Sequence, residues 1–293
     1  METYSIGLIG PGRLGKAFLR ALNQRGHKIS LIVGRHPDSL KSLQKELPSC
    51  FFTTNFQDWP PVDILLITVN DDAIEEIADQ LAKSKLNLRS VVVAHTSGAK
   101  SSDVLAPLRE KGALLASIHP AQSFAGTPDD TEKFRGCTFA IEGDSQAASL
   151  LTHLAASLGG IPFKIATQAK PLYHLACVIV SNYSTALMDS GLAILEQIGI
   201  ARPKGKTILL PLLQTATKNL DSANPEDILT GPIARGDVET VKKHLENLKE
   251  KNPKRLPVYI SLGREALNLA RRVAPDRSQN YQAIEALFKA YEK

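Results

Sequence analysis

The hydrophobic pattern in the first half of the chain alternates between two periods. Short uninterrupted apolar runs, such as residues 28–33, are typical of strands that are buried on both faces of a sheet. The segments between them repeat their apolar residues at helical spacing, as residues 13–25 do. This alternation predicts an α/β fold in which helices cover both faces of a doubly wound parallel sheet. The other predicted strands are 4–10, a short one near Phe51, 62–69, 90–95, 113–118, 137–142 and 161–165, and the other predicted helices are 37–46, 72–84, 102–111 and 145–158.

The first predicted strand runs directly into a glycine-rich turn that opens the first helix. Gly10 permits a tight turn, Gly12 lets the backbone approach a ligand, and Gly15 lets the helix lie close to the strand. Because N–H groups at a helix start attract negative charge, this unit predicts a site for a dinucleotide pyrophosphate. A purely structural glycine turn is the alternative. The residues predicted to contact the pyrophosphate are Gly10, Pro11, Gly12, Arg13, Leu14 and Gly15.

The end of the second predicted strand indicates which dinucleotide the site accepts. NAD sites present a carboxylate there for the ribose hydroxyl, whereas Gly34, Arg35 and His36 follow this strand. A guanidinium group pairs well with a 2′-phosphate, so NADP(H) is the predicted cofactor. The alternative is that Arg35 is an ordinary solvated cation. The predicted cofactor residues at or just after strand ends are Gly34, Arg35, Val69, Asn70 and Thr96.

The pattern changes at Thr167, after which amphipathic helices follow one another with short loops. One of them spans 256–273, and no later run predicts a strand. We therefore predict a Rossmann-like domain at residues 1–166 and an all-helical domain at residues 167–293, which carries substrate contacts and a dimer interface. A chain of 293 residues with 43% hydrophobic content can bury two such cores.

The helical domain opens with a long helix from Lys170 to about Gln197. Between Lys170 and Asp189 it carries no charged residue except a histidine that can be protonated. Its length raises the question of a membrane span, but its polar side chains favour burial in protein. Because one chain offers few partners to cover its apolar face, we expect a two-fold homodimer formed through this half. The opposite stripe, which we expect to line a cavity, consists of Lys170, His174, Cys177, Ser181 and Thr185, with Asn182 at its edge.

Polar residues at the strand ends and on this helix are candidates for substrate chemistry, because ligands of open α/β sheets bind at carboxyl strand ends. Lys170 is the first candidate for acid or base, since burial lowers a lysine pKa, and His119 is the second. His174, one turn from Lys170, is a third catalytic candidate. The alternatives are a surface lysine and structural histidines. The residues expected to orient the substrate are Ser97, Gln122, Ser123, Ser181 and Asn182.

A loop at residues 229–237, between two predicted helices, is richer in glycine and charge than a connector requires. Arg235 is predicted to bind a substrate carboxylate, either in its own subunit or across the dimer. The alternative is that Arg235 pairs with Asp237. Asp237 itself is also predicted to be the N-cap of the helix that follows.

Composition argues against several other classes of protein. The net charge of +5 comes without a long basic run, so we expect no nucleic-acid partner. The three cysteines lie far apart and predict neither a disulfide framework nor a metal site. The first strand begins too close to Met1 for an export signal, so we expect a cytoplasmic protein without a membrane anchor.

These motifs together resemble the family that combines a Rossmann-like domain with a DUF2520 domain. The resemblance rests on the glycine turn, on segment 119–124, on Tyr173-His174 followed by Ser181-Asn182, and on segment 229–237. Members are described as NADP-dependent oxidoreductases, with an architecture similar to that of pyrroline-5-carboxylate reductase, ketopantoate reductase and the β-hydroxyacid dehydrogenases. The resemblance therefore implies a fold and a cofactor, and it leaves the substrate open.

We expect a hydride transfer between the nicotinamide of NADP(H) and a small carbonyl, imine or hydroxy compound in the cleft between the domains. Two other functions stay open. A non-catalytic redox sensor that binds NADP(H) would need the glycine turn and Arg35, but no proton donor at the nicotinamide. A deazaflavin-dependent reductase is less favoured, because Arg35 already offers a partner for the NADP phosphate.

Overall fold

The structure of the protein is a computed structural model that describes residues 2–292. The chain divides into two compact units, the first ending at Ile179 and the second beginning at Val180. The first unit includes the start of the long helix, where Lys170 hydrogen-bonds to Ser97 and Ser117. The domain boundary at residue 166 stays a prediction.

The first unit is built on an eight-stranded sheet within the described residues. Its strands are β1 Ser5–Ile9, β2 Lys28–Val33, β3 Phe51–Thr53, β4 Ile64–Ile67, β5 Val92–His95, β6 Leu114–Pro120, β7 Thr138–Gly143 and β8 Ile161–Lys164. Their order is β3-β2-β1-β4-β5-β6-β7-β8. The order reverses between β1 and β4, which is the topological switch point where α/β sheets bind ligands.

The predicted parallel sheet is correct for β1 to β6 and wrong for β7. β7 pairs antiparallel with β6, and β8 then runs parallel to β7. The link from β6 to β7 contains only the 3₁₀ helix Pro128–Phe134, so it lacks the helical crossover usual between parallel neighbours. The antiparallel register places Glu142 of β7 directly opposite Ser117 of β6.

Helices cover both faces of the sheet, and each face has its own apolar core. Phe18, Phe134 and Phe139 pack together in one of these cores. The segment Ser102–Lys111, predicted as a helix, is a 3₁₀ helix with Pro107 inside it. The α-helices are α1 Arg13–Gln24, α2 Pro37–Glu46, α3 Ile74–Lys83, α4 Ser145–Ser157 and α5 Lys170–Cys177.

The second unit is helical, and no strand follows Lys164 in the described part of the chain, as predicted. A π-helical turn, Val178–Asn182, lies between α5 and the next helix. The core of the second unit is formed by Val241, Leu245, Leu267, Tyr281 and Phe288, among others. The helices are α6 Tyr183–Glu196, α7 Arg202–Asn219, α8 Pro225–Ile228, α9 Pro232–Arg235, α10 Val238–Lys251, α11 Leu256–Val273 and α12 Ser278–Tyr291.

The helical stretch Thr167–Glu196 is the one described segment that is long and apolar enough to cross a membrane by length and composition. That criterion is weak evidence, because core helices of soluble proteins also meet it. Only 6% of its most apolar window is buried, and Leu172 and Val180 are each 73% exposed. The apolar side chains of this stretch are therefore largely exposed in the single chain.

Candidate active site

The three glycines of the turn have different surroundings. Gly10 has a φ of +85°, and a Cβ there would lie 2.5 Å from Val69 Cγ1. A Cβ on Gly15 would lie 2.6 Å from Thr68 Oγ1, so this glycine lets α1 pack against the sheet. At Gly12 the nearest atom would be the Gly10 carbonyl oxygen, 3.9 Å away. Gly12 therefore leaves open space on the side where a ligand would approach.

A cavity of about 530 Å³ opens at this turn. The first turn of α1 contains no acidic residue, and no side chain caps the helix start. The N–H groups of that helix start are therefore suited to a phosphate. The cavity continues past the ends of β2 and β4 to one face of α3. The predicted cofactor residues that line it are Gly10, Pro11, Gly12, Gly34, Arg35, Val69 and Asn70.

The other four predicted cofactor residues do not line this cavity. Gly15 and Leu14 pack against the interior, and the N–H of Thr96 donates to the Ile67 carbonyl oxygen at 3.2 Å. Arg13 packs against Gly126, because a Cβ on Gly126 would lie 3.1 Å from Arg13 Cγ. Several residues that line the cavity were not predicted from the sequence. Three of them lie on one face of α3, so helical spacing after β4 could have indicated them. Among the missed residues are Phe56, Glu76, Ile77 and Gln80.

The amino group of Lys170 lies among the loop after β5, the middle of β6 and the end of β7, and its side chain has no exposed surface. Its Nζ donates to the Ser97 carbonyl oxygen at 2.9 Å and to the Ser117 hydroxyl, and it lies 3.7 Å from Glu142 Oε1. Glu142 also accepts hydrogen bonds from the N–H and hydroxyl of Ser102. Lys170 therefore points into the sheet unit, and its donors are used within the protein.

Burial and charge oppose each other in this network. Burial lowers the pKa of Lys170 to about 8, against the upward effects of the Glu142 and Asp71 carboxylates. Burial alone would raise the pKa of Glu142, but hydrogen bonds from Ser117 and Ser102 and the charge of Lys170 hold it below its usual value. The two groups therefore form an ion pair at neutral pH, as the geometry indicates.

Two imidazole rings meet beside this network. The rings of His119 on β6 and His174 on α5 are 6.0 Å apart, edge to face. A Cβ on Gly98 would lie 2.8 Å from His119 Nε2 and 2.6 Å from His174 Cδ2, so both rings lie over the Gly98 backbone. Nδ1 of His119 is hydrogen-bonded to the Tyr173 hydroxyl at 3.0 Å. Burial, with the charges of Lys170 and His174, lowers the pKa of His119 to about 4.

Ser97, predicted to orient a substrate, holds the loop together instead. Its hydroxyl donates to Asp71 Oδ2 at 2.7 Å and accepts the N–H groups of Ala99 and Lys100. Asp71 was missed as a site residue, because its position after β4 is also that of a helix cap. Gln122 Oε1 accepts the Ser123 N–H at 2.8 Å, in an exposed loop.

The remaining predicted residues belong to the second unit. Ser181 and Asn182 lie in the π-helical turn, a kind of local widening that is frequent at functional sites. Arg235 ends α9 and lines a cavity of about 350 Å³ within this unit, together with Arg277. Asp237 accepts the Thr240 N–H at 3.0 Å, so it is the N-cap of α10 as predicted. No group of three potential metal ligands occurs among residues 2–292.

The strand order, the glycine turn and the helical second unit define an α/β protein with a Rossmann-like domain followed by a helical domain. The model of the Rossmann-like domain matches residues 2–120, and that of DUF2520, a domain of unknown function, matches residues 137–266. The chain therefore has the domain pair of the Rossmann-like and DUF2520 family, as the motifs indicated. No curated protein sequence matches it.

Solved structures share this fold over nearly the whole chain. Protein TM1727 from Thermotoga maritima is 27% identical, with a TM-score of 0.71, and the match covers 93% of this chain and 99% of that one. A putative NADP oxidoreductase, BF3122 from Bacteroides fragilis, is 21% identical (TM-score 0.74, coverage 91% and 98%). An imine reductase from Myxococcus stipitatus in complex with NADP+ is 17% identical (TM-score 0.65, coverage 97% and 99%).

The buried ion pair leads to a test of stability. Lys170→Met should lower the free energy of unfolding by about 3–5 kcal/mol, because it leaves the Glu142 carboxylate buried without its partner. Urea denaturation followed by circular dichroism measures the change. In the double variant Lys170→Met, Glu142→Gln, most of the loss should be recovered, since the buried charge is gone.

The matched control is Lys100→Met, which removes a more exposed lysine paired with Glu75 at 2.6 Å. Surface pairs contribute about 0–1 kcal/mol, so this variant should stay close to the parent. A loss for Lys170→Met as small as that of Lys100→Met would contradict the ion pair in the interior.

Proposed function

We propose that the protein is an NADP(H)-dependent oxidoreductase that transfers a hydride between the nicotinamide and a small carbonyl, imine or hydroxy compound. One observation carries the proposal. A cavity begins at an uncapped helix start, where Gly12 leaves room for a ligand, and continues to Arg35. Similar folds in a putative NADP oxidoreductase and an NADP+-bound imine reductase support it.

The proposed orientation of the cofactor follows the order of the strands. The pyrophosphate would lie at the start of α1, and the 2′-phosphate would lie at Arg35, after β2. The nicotinamide would then extend past β4 towards the ends of β5 and β6, where Gly98 and His119 lie. The cofactor supplies the hydride, and the protein supplies binding, orientation and control of one proton.

Within this proposal, His119 and Lys170 have different roles. His119 is partly exposed and presents a ring edge over Gly98, so it is the residue that we assign to the reacting oxygen or nitrogen. Lys170 is fully buried and would have to break hydrogen bonds to reach a ligand, so we assign it to holding the site in place. His174, beside His119, would complete the wall of the site.

The other predicted contacts stay predictions. Gln122, Ser123, Ser181 and Asn182 are proposed to contact the substrate, and Arg235 is proposed to bind a carboxylate on it. Ser97 would act through its bond to Asp71, not by direct contact. We further propose that the protein works in the cytoplasm, without a nucleic-acid or membrane partner.

The first test concerns the choice of cofactor. NADPH should bind at least about tenfold more tightly than NADH, a difference of roughly 1.4 kcal/mol, because Arg35 makes a charge-assisted contact with the 2′-phosphate. Titration of Trp59 and tyrosine fluorescence with each nucleotide measures both dissociation constants.

Arg35→Ser should remove the preference and leave the affinity for NADH unchanged. The matched control is Arg25→Ser, an exposed arginine that does not line the cavity, and it should keep the preference. Equal affinities in the parent protein, or a preference that survives Arg35→Ser, would contradict the assignment.

The second test concerns catalysis. Small ketones, aldehydes and imines are screened for oxidation of NADPH, which is followed by the loss of its absorbance. On any substrate found, His119→Gln should lower turnover by about 10² or more while NADPH affinity is retained, because the group at the reacting atom is lost. Tight NADPH binding without turnover on any compound would favour the redox sensor instead.

We also propose that the protein is a homodimer formed through the helical half. The apolar side of the stretch 170–196 is uncovered in the single chain, and an apolar surface of this length on a folded protein marks an interaction site. Burial of more than about 2,000 Å² is expected for a permanent interface of this kind. The exposed apolar residues on it are Leu172, Leu175, Ile179, Val180, Tyr183 and Leu187.

The dimer is tested by light scattering at micromolar concentration, where we expect twice the mass of one chain. Val180→Asp should shift the mass towards the monomer, because it places a charge within the apolar face. Phe51→Asp makes a similar change at an exposed position on β3 and should leave the mass unchanged. A monomer mass for the parent protein would contradict the proposal.

A further inference from the structure

The hydrogen bond between Tyr173 and His119 joins two elements of the first unit. Tyr173 is on α5 and His119 is on β6, and the phenol oxygen lies 3.0 Å from imidazole Nδ1. The two rings meet edge to face at 83° with centroids 5.6 Å apart, and Phe163 packs on the other side of Tyr173. The imidazole is therefore held at one nitrogen by a group whose own position is fixed by packing.

The direction of this bond is linked to the tautomer of His119, because Nδ1 can either accept the phenol hydrogen or donate its own. Because its pKa is lowered to about 4, the imidazole is neutral at neutral pH and has a single N–H. Burial raises the pKa of Tyr173, so the phenol keeps its hydrogen and has one to donate. A pyridine-type nitrogen is a good acceptor for a phenol O–H. When Nδ1 accepts this bond, Nε2 must carry the hydrogen.

Nε2 is the atom that lies over Gly98. A Cβ at that position would be 2.8 Å from it, which is too close for any residue with a side chain. The loop below is fixed by the bond from Lys170 to the Ser97 carbonyl oxygen and by the bond from Ser97 to Asp71. Nε2 is therefore held just beyond the end of β5, on the edge of the sheet where ligands bind.

We propose that Tyr173 is a positioning residue that fixes His119 in the Nε2–H tautomer, so that His119 donates a hydrogen bond to the reacting atom of the substrate. As a statement about the reaction, this inference rests on the proposed function. It also defines the class of reacting atom. A carbonyl oxygen or a neutral imine nitrogen has a lone pair to accept the bond, whereas a protonated iminium nitrogen has none.

The charges around His119 maintain this state near neutral pH. Burial is the largest cause of the lowered pKa of His119, Lys170 and His174 on α5 add to it, and Asp71 after β4 acts in the opposite direction with a smaller effect. Tyr173 completes the set of titratable groups that face the ring. Protonation of His119 would add a hydrogen at Nδ1 and break the bond from the phenol, so the proposed state is lost only as the pH falls towards 4.

The test that needs no substrate is NMR of isotope-labelled imidazole nitrogens at neutral pH. We expect a pyridine-type Nδ1 and a pyrrole-type Nε2 for His119, with the signals assigned by their loss in His119→Gln. In Tyr173→Phe the Nδ1 signal should move towards the average of the two tautomers. A pyrrole-type Nδ1 in the parent protein, or an unchanged signal in Tyr173→Phe, would overturn the inference.

The chain contains a matched control for this experiment. In the second unit, His244 Nδ1 lies 2.9 Å from the Tyr259 hydroxyl, with rings 5.7 Å apart at 85°. Tyr259→Phe removes the same kind of bond and should change the His244 signals alone. A change at His119 in this variant would mean that the Tyr173→Phe effect is not specific.

The kinetic arm separates this inference from the proposed function. On a substrate from the NADPH screen, Tyr173→Phe should lower kcat about tenfold or more and leave NADPH affinity unchanged. This effect is smaller than that of removing the His119 donor itself, because the imidazole is still present. An unchanged kcat would overturn the positioning role. If no substrate exists, the proposed function fails, whereas the NMR result still decides the tautomer.

Discussion

The buried amino group of Lys170 is the contact on which the arrangement of the site depends. It is bonded to the Ser97 carbonyl oxygen and the Ser117 hydroxyl and is paired with Glu142, so it joins α5 to the loop after β5 and to strands β6 and β7. A buried charge of this kind is tolerated only where its partners are complete. The rings of His119 and His174 then take their places over Gly98 because α5 and the loop after β5 are both held.

This arrangement buries a charged pair, Lys170 and Glu142, and places the uncharged ring of His119 nearer the surface. Lys170 and Glu142 are hidden, and the pKa of His119 is lowered to about 4, so the ring that faces outward is uncharged. A neutral imidazole has one N–H group that it can donate in a hydrogen bond. Such a donor suits a reaction in which negative charge develops on an oxygen or nitrogen during hydride transfer.

The sequence was most informative where a local backbone rule applies. The glycine turn and the polar end of β2 could be predicted, because a tight turn, a close helix and a phosphate each require particular residues at fixed spacing. Glu142 could not. It belongs to a strand that read as part of a parallel sheet, and only the antiparallel pairing of β7 places it opposite Ser117. The full burial of Lys170 was not predicted either, because helical periodicity shows which residues share a face of the helix but not which elements pack against that face.

A crystal structure of the NADPH complex tests the account most directly. The account predicts that the pyrophosphate lies against Gly12 and the start of α1, that the 2′-phosphate pairs with Arg35, and that C4 of the nicotinamide faces His119 over Gly98. A complex in which the 2′-phosphate lies away from Arg35, or in which C4 of the ring faces open solvent away from His119, would contradict it.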